Sequence, residues 1–292
     1  MPWKFSKPVT PGFGLSKRYY LTVLSTRPVL PTILQLISPK GEQGAVEGFG
    51  VPMMPDAGKE SVGQPMVRGK YALASKDRKS VLSMMVLDPG EAGFSAEVFA
   101  RSPMAQHFGE EVLARVRGTW QICQLSFESH DAAVYPALDF LQALTIRLAT
   151  LTDGVVADPI AQRYLLPNQV RKSDRLDPKV DAREHVAVVA SGANLFTLGM
   201  QKFVLPELEL NDIEARSREL AESLLIIACQ QALLGNVIKN GDKLGAKRAG
   251  FEARPAVDRG RWNGIAALEL LPPTGIAVSD ALQAWLGEAT GP

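Results

Sequence analysis

Residues 120–158 read WQICQLSFESHDAAVYPALDFLQALTIRLATLTDGVVAD, and the change of period inside this stretch decides the fold class. Its first part alternates: Cys123, Leu125 and Phe127 fall on one face, Gln124 and Ser126 on the other, as in a strand whose successive side chains point to opposite sides. Ile122 and Trp120 make the second face partly apolar as well. The spacing then becomes helical. Val134, Leu138, Leu141, Leu144, Leu148 and Leu151 form an apolar stripe, Pro136 fits the first turn, and Gly154 is the expected stop. Val155 and Val156 restore a β-prone composition. If the two strands share one sheet in parallel sense across the helix, Glu128, His130 and Asp158 lie at the same sheet end, where ligand crevices of α/β folds form.

Working outward, MVRGKYALAS and SVLSMMVLD flank the polar connection Lys76-Asp77-Arg78-Lys79 as a hairpin, which Asp88-Pro89-Gly90 closes. Met104, Phe108, Val112, Leu113 and Val116 predict one helix over 103–116 ending at Gly118. His185 to Ala190 and Phe196 to Phe203 predict a strand pair around Ser191-Gly192-Ala193-Asn194, with Leu208 to Leu210 as an added edge. A second long helix is expected from about Asp212 to Leu234, with Asn211 and Glu214 at capping-box spacing and Ile213, Leu220, Leu224, Ile227 and Leu234 inward. Gly235-Asn236-Val237-Ile238 follows it as Gly154-Val155-Val156 follows the first, which hints at a duplicated strand-helix-strand unit. Strands and helices mix without regular βαβ alternation, so the expectation is α+β with mainly antiparallel sheet and two long packed helices.

Ser38 to Gly69 holds seven Gly and four Pro, which excludes regular structure and marks a long irregular excursion, a lid or a surface loop. The domain reading is a flexible basic arm over 1–18, a strand-rich region over 19–117, and an α+β region over 118–292 that forms one compact unit with it.

Lys and Arg total 32 against 31 Asp and Glu, so no polyelectrolyte partner is implied. Residues 163–183 and 239–261 are locally basic, but single-sign density this low is that of a solvated surface, and nucleic acid binding is not expected. Cys123 and Cys229 lack metal-ligand or redox spacing and sit in apolar segments, as inert thiols of a reducing cytoplasm. Tyr19 to Ser25 and Ser223 to Ile238 fall short of the roughly twenty apolar residues of a spanning helix, so no membrane partner is expected.

The densest polar cluster is Ser126-Phe127-Glu128-Ser129-His130-Asp131, at a strand-to-helix junction. Glu128, His130 and Asp131 include a base, an orienting acid and metal-ligand chemistry, yet Ser129 or Asp131 equally serves as a helix cap. Asp153-Gly154 and Asp158-Pro159 read first as a helix exit and a turn. No GxSxG, Walker A, HExxH or helix-opening GxGxxG pattern occurs, and neither cofactor nor metal site is called for.

The run HDAAVYPALDFLQALTIRLATLTDGVVADPIAQRYLLP, the segment FTLGMQKFVLPELEL and the later Asn240-Gly241-Asp242 resemble a group of uncharacterised bacterial proteins of the domain-of-unknown-function kind. Asp153-Gly154 stands where that pattern has two glycines, and Val204 where it commonly has one. The resemblance covers about the C-terminal two thirds and implies an α+β fold and a bacterial, cytosolic setting. It transfers no catalytic residue and favours interaction over chemistry. The leading expectation is a non-enzymatic binding or interaction protein with a small-molecule or protein partner, rimmed by Leu205-Pro206-Glu207 and Leu270-Leu271-Pro272-Pro273. Its rival is a small-molecule hydrolase or transferase built on Glu128, His130, Asp131 and Asp158.

Overall fold

Residues 14–16, 18–37, 51–52, 61–130, 134–245, 250–257 and 260–289 are described by the computed structural model. Two units result, residues 17–171 and residues 1–16 with 172–292. The division falls at 171/172 and not near 118, because three strands between residues 121 and 165 join the first sheet, and two units stand where one compact unit was expected. The arm divides likewise: Leu15 is buried and the Ser16 N–H donates to the Lys202 carbonyl at 2.7 Å, within the unit that holds 172–292. Most of the glycine-rich excursion, and with it the question of a lid, lies outside the described residues.

In residues 17–171 the strands are β1 (Tyr20–Ser25), β2 (Val51–Pro52), β3 (Gly69–Ala74), β4 (Ser80–Leu87), β5 (Gln121–His130), β6 (Val155–Asp158) and β7 (Arg163–Leu165). They form one antiparallel sheet in the order β2-β3-β4-β5-β1-β6-β7. Strand β1 lies between β5 and β6, with Val23 opposite both Cys123 and Val156. Both partners run antiparallel to it, so β5 and β6 share a direction, as the strand-helix-strand reading supposed, with one strand interposed.

Helices cover both faces. Leu24, Ile122 and Val155 point to one side, where they pack with Phe99 of α2 (Ala96–Ala100), Val112 and Val116 of α3 (Glu110–Arg117), and Leu166. Val23, Cys123, Leu125 and Val156 point to the other, beneath α4 (Val134–Leu151), which packs on β1, β5 and β6. Each such Val or Leu contributes about 1.5–3 kcal/mol on burial. Burial pushes the Cys123 thiol up to about 12, the state of an inert core cysteine.

The helix expected over 103–116 is broken. A 3-10 turn over Pro103–His107, capped by Ser102, precedes α3, and Phe108 between them is extended. Its ring stacks on Phe99 at 5.9 Å and meets Tyr164 edge-on at 5.1 Å, so aromatic packing overrides helical continuity.

The other unit holds α6 (Ala182–His185), β8 (Ala187–Ser191), β9 (Asn194–Leu198), β10 (Glu207–Leu210), α7 (Arg218–Leu233), β11 (Lys243–Leu244), β12 (Phe251–Pro255), β13 (Ala267–Leu271) and α8 (Val278–Ala289); α5 (Pro167–Val170) belongs to the first unit and α1 (Ile33–Ile37) with it. Sheet order is β11-β12-β13-β10-β9-β8, antiparallel except for β10 with β13. β10 is thus interior, not the edge expected for Leu208 to Leu210. Helix α7 starts later than expected because residues 211–214 dock instead of coiling, and a 3-10 turn over Ala215–Ser217 precedes it: Asp212 takes φ +56°, the Ile213 N–H donates to Ala193 O, and Asn211 bonds Glu209 and Glu269. Its inward face is Ala221, Leu224, Leu225, Ala228, Cys229 and Ala232, leaving Ile227 exposed. Val237 and Ile238 are not strand, so the spacing does not mark a repeat there. Each long helix packs on its own unit's sheet.

The tightest packing point near the first sheet's end is Gly154. A Cβ there would stand 2.6 Å from the Leu24 carbonyl oxygen, on the backbone of the interior strand β1. Gly154→Ala is therefore expected to lower the unfolding free energy by about 2 kcal/mol, as overpacking does; urea denaturation checks it, and an unchanged midpoint would show that β1 yields.

Candidate functional site

Of the four residues singled out by sequence, only Glu128 and Asp158 have described side chains, and these two do not come together. Glu128 is the extra residue of a β-bulge: Leu82 faces Phe127 and Val81 faces Ser129, which leaves Glu128 unopposed. The bulge turns its side chain to solvent, where the carboxylate accepts from Lys70 Nζ at 2.6 Å. Exposed pairs of this kind contribute about 0–1 kcal/mol. His130 ends β5 opposite Ser80. Asp131 lies outside the described residues.

Asp158 is buried at the end of β6, and its Oδ1 accepts the Ala161 N–H at 3.1 Å, closing the turn into β7. Burial pushes the nearby Tyr19 phenol well above its ordinary value, the Asp158 charge adds to this, and Arg163 partly offsets it. The register places Asp158 beside Leu21, which faces Leu125. Glu128 is three residues further along and two strands across, on the order of 13 Å away at ordinary strand spacings. The shared sheet end is real, but the two carboxylates do not meet there.

Of the segments expected to rim a groove, part turns inward, while Leu271 is exposed and Pro206, Pro272 and Pro273 are half-buried. Leu205 and Leu270 are buried, and Glu207 is fully so. Its carboxylate accepts the Gly199 N–H at 2.8 Å, the Gln201 N–H at 3.1 Å and the Thr197 hydroxyl at 2.8 Å, and caps the 3-10 turn over Met200–Phe203. Burial nonetheless pushes that carboxyl above its ordinary range. Three of the six basic residues of 163–183 are paired: Arg171 with Asp139, Arg175 with Glu184, and Arg183 with Asp181 and Asp174. Among the described residues no group of three His, Cys, Asp or Glu side chains could hold a metal ion, and no helix is long and apolar enough to cross a membrane.

A pocket of about 470 Å³ opens where α3, the C-terminal end of α4 and the start of α5 meet, lined by Glu111, Arg115, Ile146, Ala149, Thr150, Asp153, Leu166, Pro167 and Asn168. Two of these residues are fixed by local rules. Glu111 and Arg115 are one turn apart on α3, acid toward its N-terminus and base toward its C-terminus, and pair at 2.9 Å. Asp153 is presented by the helix exit. The Gly154 N–H donates to Ala149 O at 2.8 Å and the Asp153 N–H to Thr150 O at 3.5 Å, the Schellman pattern, with Asp153 at φ +51° in the position glycine favours. The Thr26 hydroxyl donates to the Thr152 carbonyl at 3.0 Å and to that of Asp153 at 3.1 Å, which ties the exit to the end of β1. Asp153 Oδ1 thereby stands 3.0 Å from Arg115 Nη1, so the guanidinium is shared by two carboxylates from two helices. Behind the charges, Ala149 and Leu166 supply a buried apolar wall. The Thr150 hydroxyl donates back to Ile146 O at 2.8 Å.

Sequence reading passed over Arg115 because its partner is far along the chain. The signal present was Asp153 ahead of Gly154, an aspartate in a glycine position.

No family model, curated protein or solved structure matches the chain.

A left-handed aspartate costs about 1 kcal/mol relative to glycine, while its partly exposed ion pair contributes no more than that. Asp153→Gly is expected to leave the unfolding free energy unchanged or raised by up to ~1 kcal/mol. A loss of more than about 1 kcal/mol in urea denaturation would make Asp153 a stability element and remove the reason to assign it a binding role.

Proposed function

We propose that this chain is a non-enzymatic binding protein of a bacterial cytoplasm, and that the pocket between α3, α4 and α5 receives its ligand. The observation that carries this reading is Arg115 held between Glu111 and Asp153 beside an apolar wall, in a concavity of about 470 Å³. The volume lies within the about 300–1,000 Å³ of ligand sites, and convergent charged groups stand beside apolar side chains. The pocket's charged groups pair with one another and the Thr150 hydroxyl with backbone, an arrangement suited to recognition by shape and charge. Two buried cysteines left as thiols suit a reducing compartment.

The test is a fragment titration of the full chain, with anionic, neutral and cationic fragments, followed by amide chemical shifts. Perturbations clustered at residues 111, 115, 150, 153 and 168 are expected, and they should vanish in Thr150→Trp, which fills the pocket from its exposed rim. Responses centred on Glu128 and His130, or none at the pocket, would overturn the assignment.

A further inference from the structure

The charges of the pocket are unbalanced. Glu111 and Asp153 are both committed to one cation, Arg115, at 2.9 and 3.0 Å, so the group carries one net negative charge. An anionic ligand would have to displace a carboxylate from Arg115 while the other remained beside it, which is like-charge repulsion at close range. A cation completes the set instead, because each carboxylate keeps further acceptor positions beyond the single bond it makes to the guanidinium.

The pocket's shape narrows the source of that cation. The side chains of Glu111 and Asp153 are 63% and 53% exposed, whereas that of Arg115 is only 25% exposed. The carboxylates thus stand at the rim, and the apolar surface of Ile146, Leu166 and Pro167 lies beside them. Free small molecules are normally held by burying most of their surface, which an open rim does not achieve. A long basic side chain fits better. Its methylenes cover apolar surface while its charged end stays partly in water, and the rest of the binding surface comes from the polypeptide that carries it.

The backbone at Asp153 bears on the same carboxylate. Glycine would satisfy φ +51° at no steric cost and would complete the same helix exit. What aspartate adds at that position is a carboxylate at the mouth of the pocket.

We propose that the pocket between α3, α4 and α5 docks an arginine or lysine side chain of a partner polypeptide, with Asp153 and Glu111 receiving the cation. This rests on the reading of the pocket as a binding site given above.

Amide shifts of the full chain during titration with acetyl-glycyl-arginyl-glycinamide, its glutaminyl and glutamyl counterparts, and butylammonium test it. The arginyl peptide should bind at the pocket at least tenfold more tightly than the other two peptides and than butylammonium. Affinity should fall at least fivefold in Asp153→Asn, which tolerates the left-handed backbone, in Glu111→Gln, and on raising salt from about 50 to 500 mM, where exposed charges are screened. Equal binding of the glutaminyl or glutamyl peptide would overturn the cation assignment while leaving a binding pocket in place. Equal binding of butylammonium would overturn the polypeptide source. A pocket that answers to none of these, nor to fragments, would overturn both readings.

Discussion

The placement of β1 between β5 and β6 is the constraint on which the first unit depends. Without it, β5 and β6 would have to pair directly in parallel across α4; with it, every neighbour in that sheet is antiparallel. The strand is hydrogen-bonded on both edges and covered on both faces. Val23 and Leu24, adjacent in sequence, are both buried, one toward α4 and one toward α2 and α3. A one-residue slip would exchange those faces and misplace both helix layers.

The same strand sets the pocket. At its end Thr26 binds the carbonyls of Thr152 and Asp153 just past α4, and Gly154 passes so close to Leu24 that only hydrogen fits on its Cα. These contacts hold Asp153 at the helix exit, and α3, anchored by Val112 and Val116 on the opposite face, brings Arg115 to it. The ion pair is individually weak. Its position is nonetheless well defined, because both helices are fixed by apolar contacts that do not involve the charges.

Much of this was legible in the sequence. The change of period at Val134 gave α4 and its flanking strands, and the polar Lys76 to Lys79 connection gave the hairpin of β3 and β4. The place of β1 was not, because the seven apolar residues Tyr19 to Ser25 carry no record of which strands they will join. Phe108 shows a second limit, since its spacing is helical and only the meeting with Phe99 and Tyr164 makes an extended backbone preferable. The dense cluster at Glu128 drew attention because its residues are adjacent in sequence. The pocket draws on Arg115 and Asp153, which only the fold brings together. Asp153 and Val204, neither of them glycine, are both left-handed, at φ +51° and +59°. There a side chain is retained at a backbone cost, and sequence alone shows the residue without its conformation.

Amide hydrogen exchange tests the central role of β1 most directly. A strand bonded on both edges and buried on both faces opens only with the whole unit. The inner amides of Leu21 to Leu24 should therefore be among the slowest to exchange in residues 17–171, at rates tracking global unfolding in urea, while those of the edge strand β7 exchange by local opening. Fast exchange of β1, with β5 and β6 still protected, would contradict the placement of β1 as the strand on which the sheet and the pocket are built.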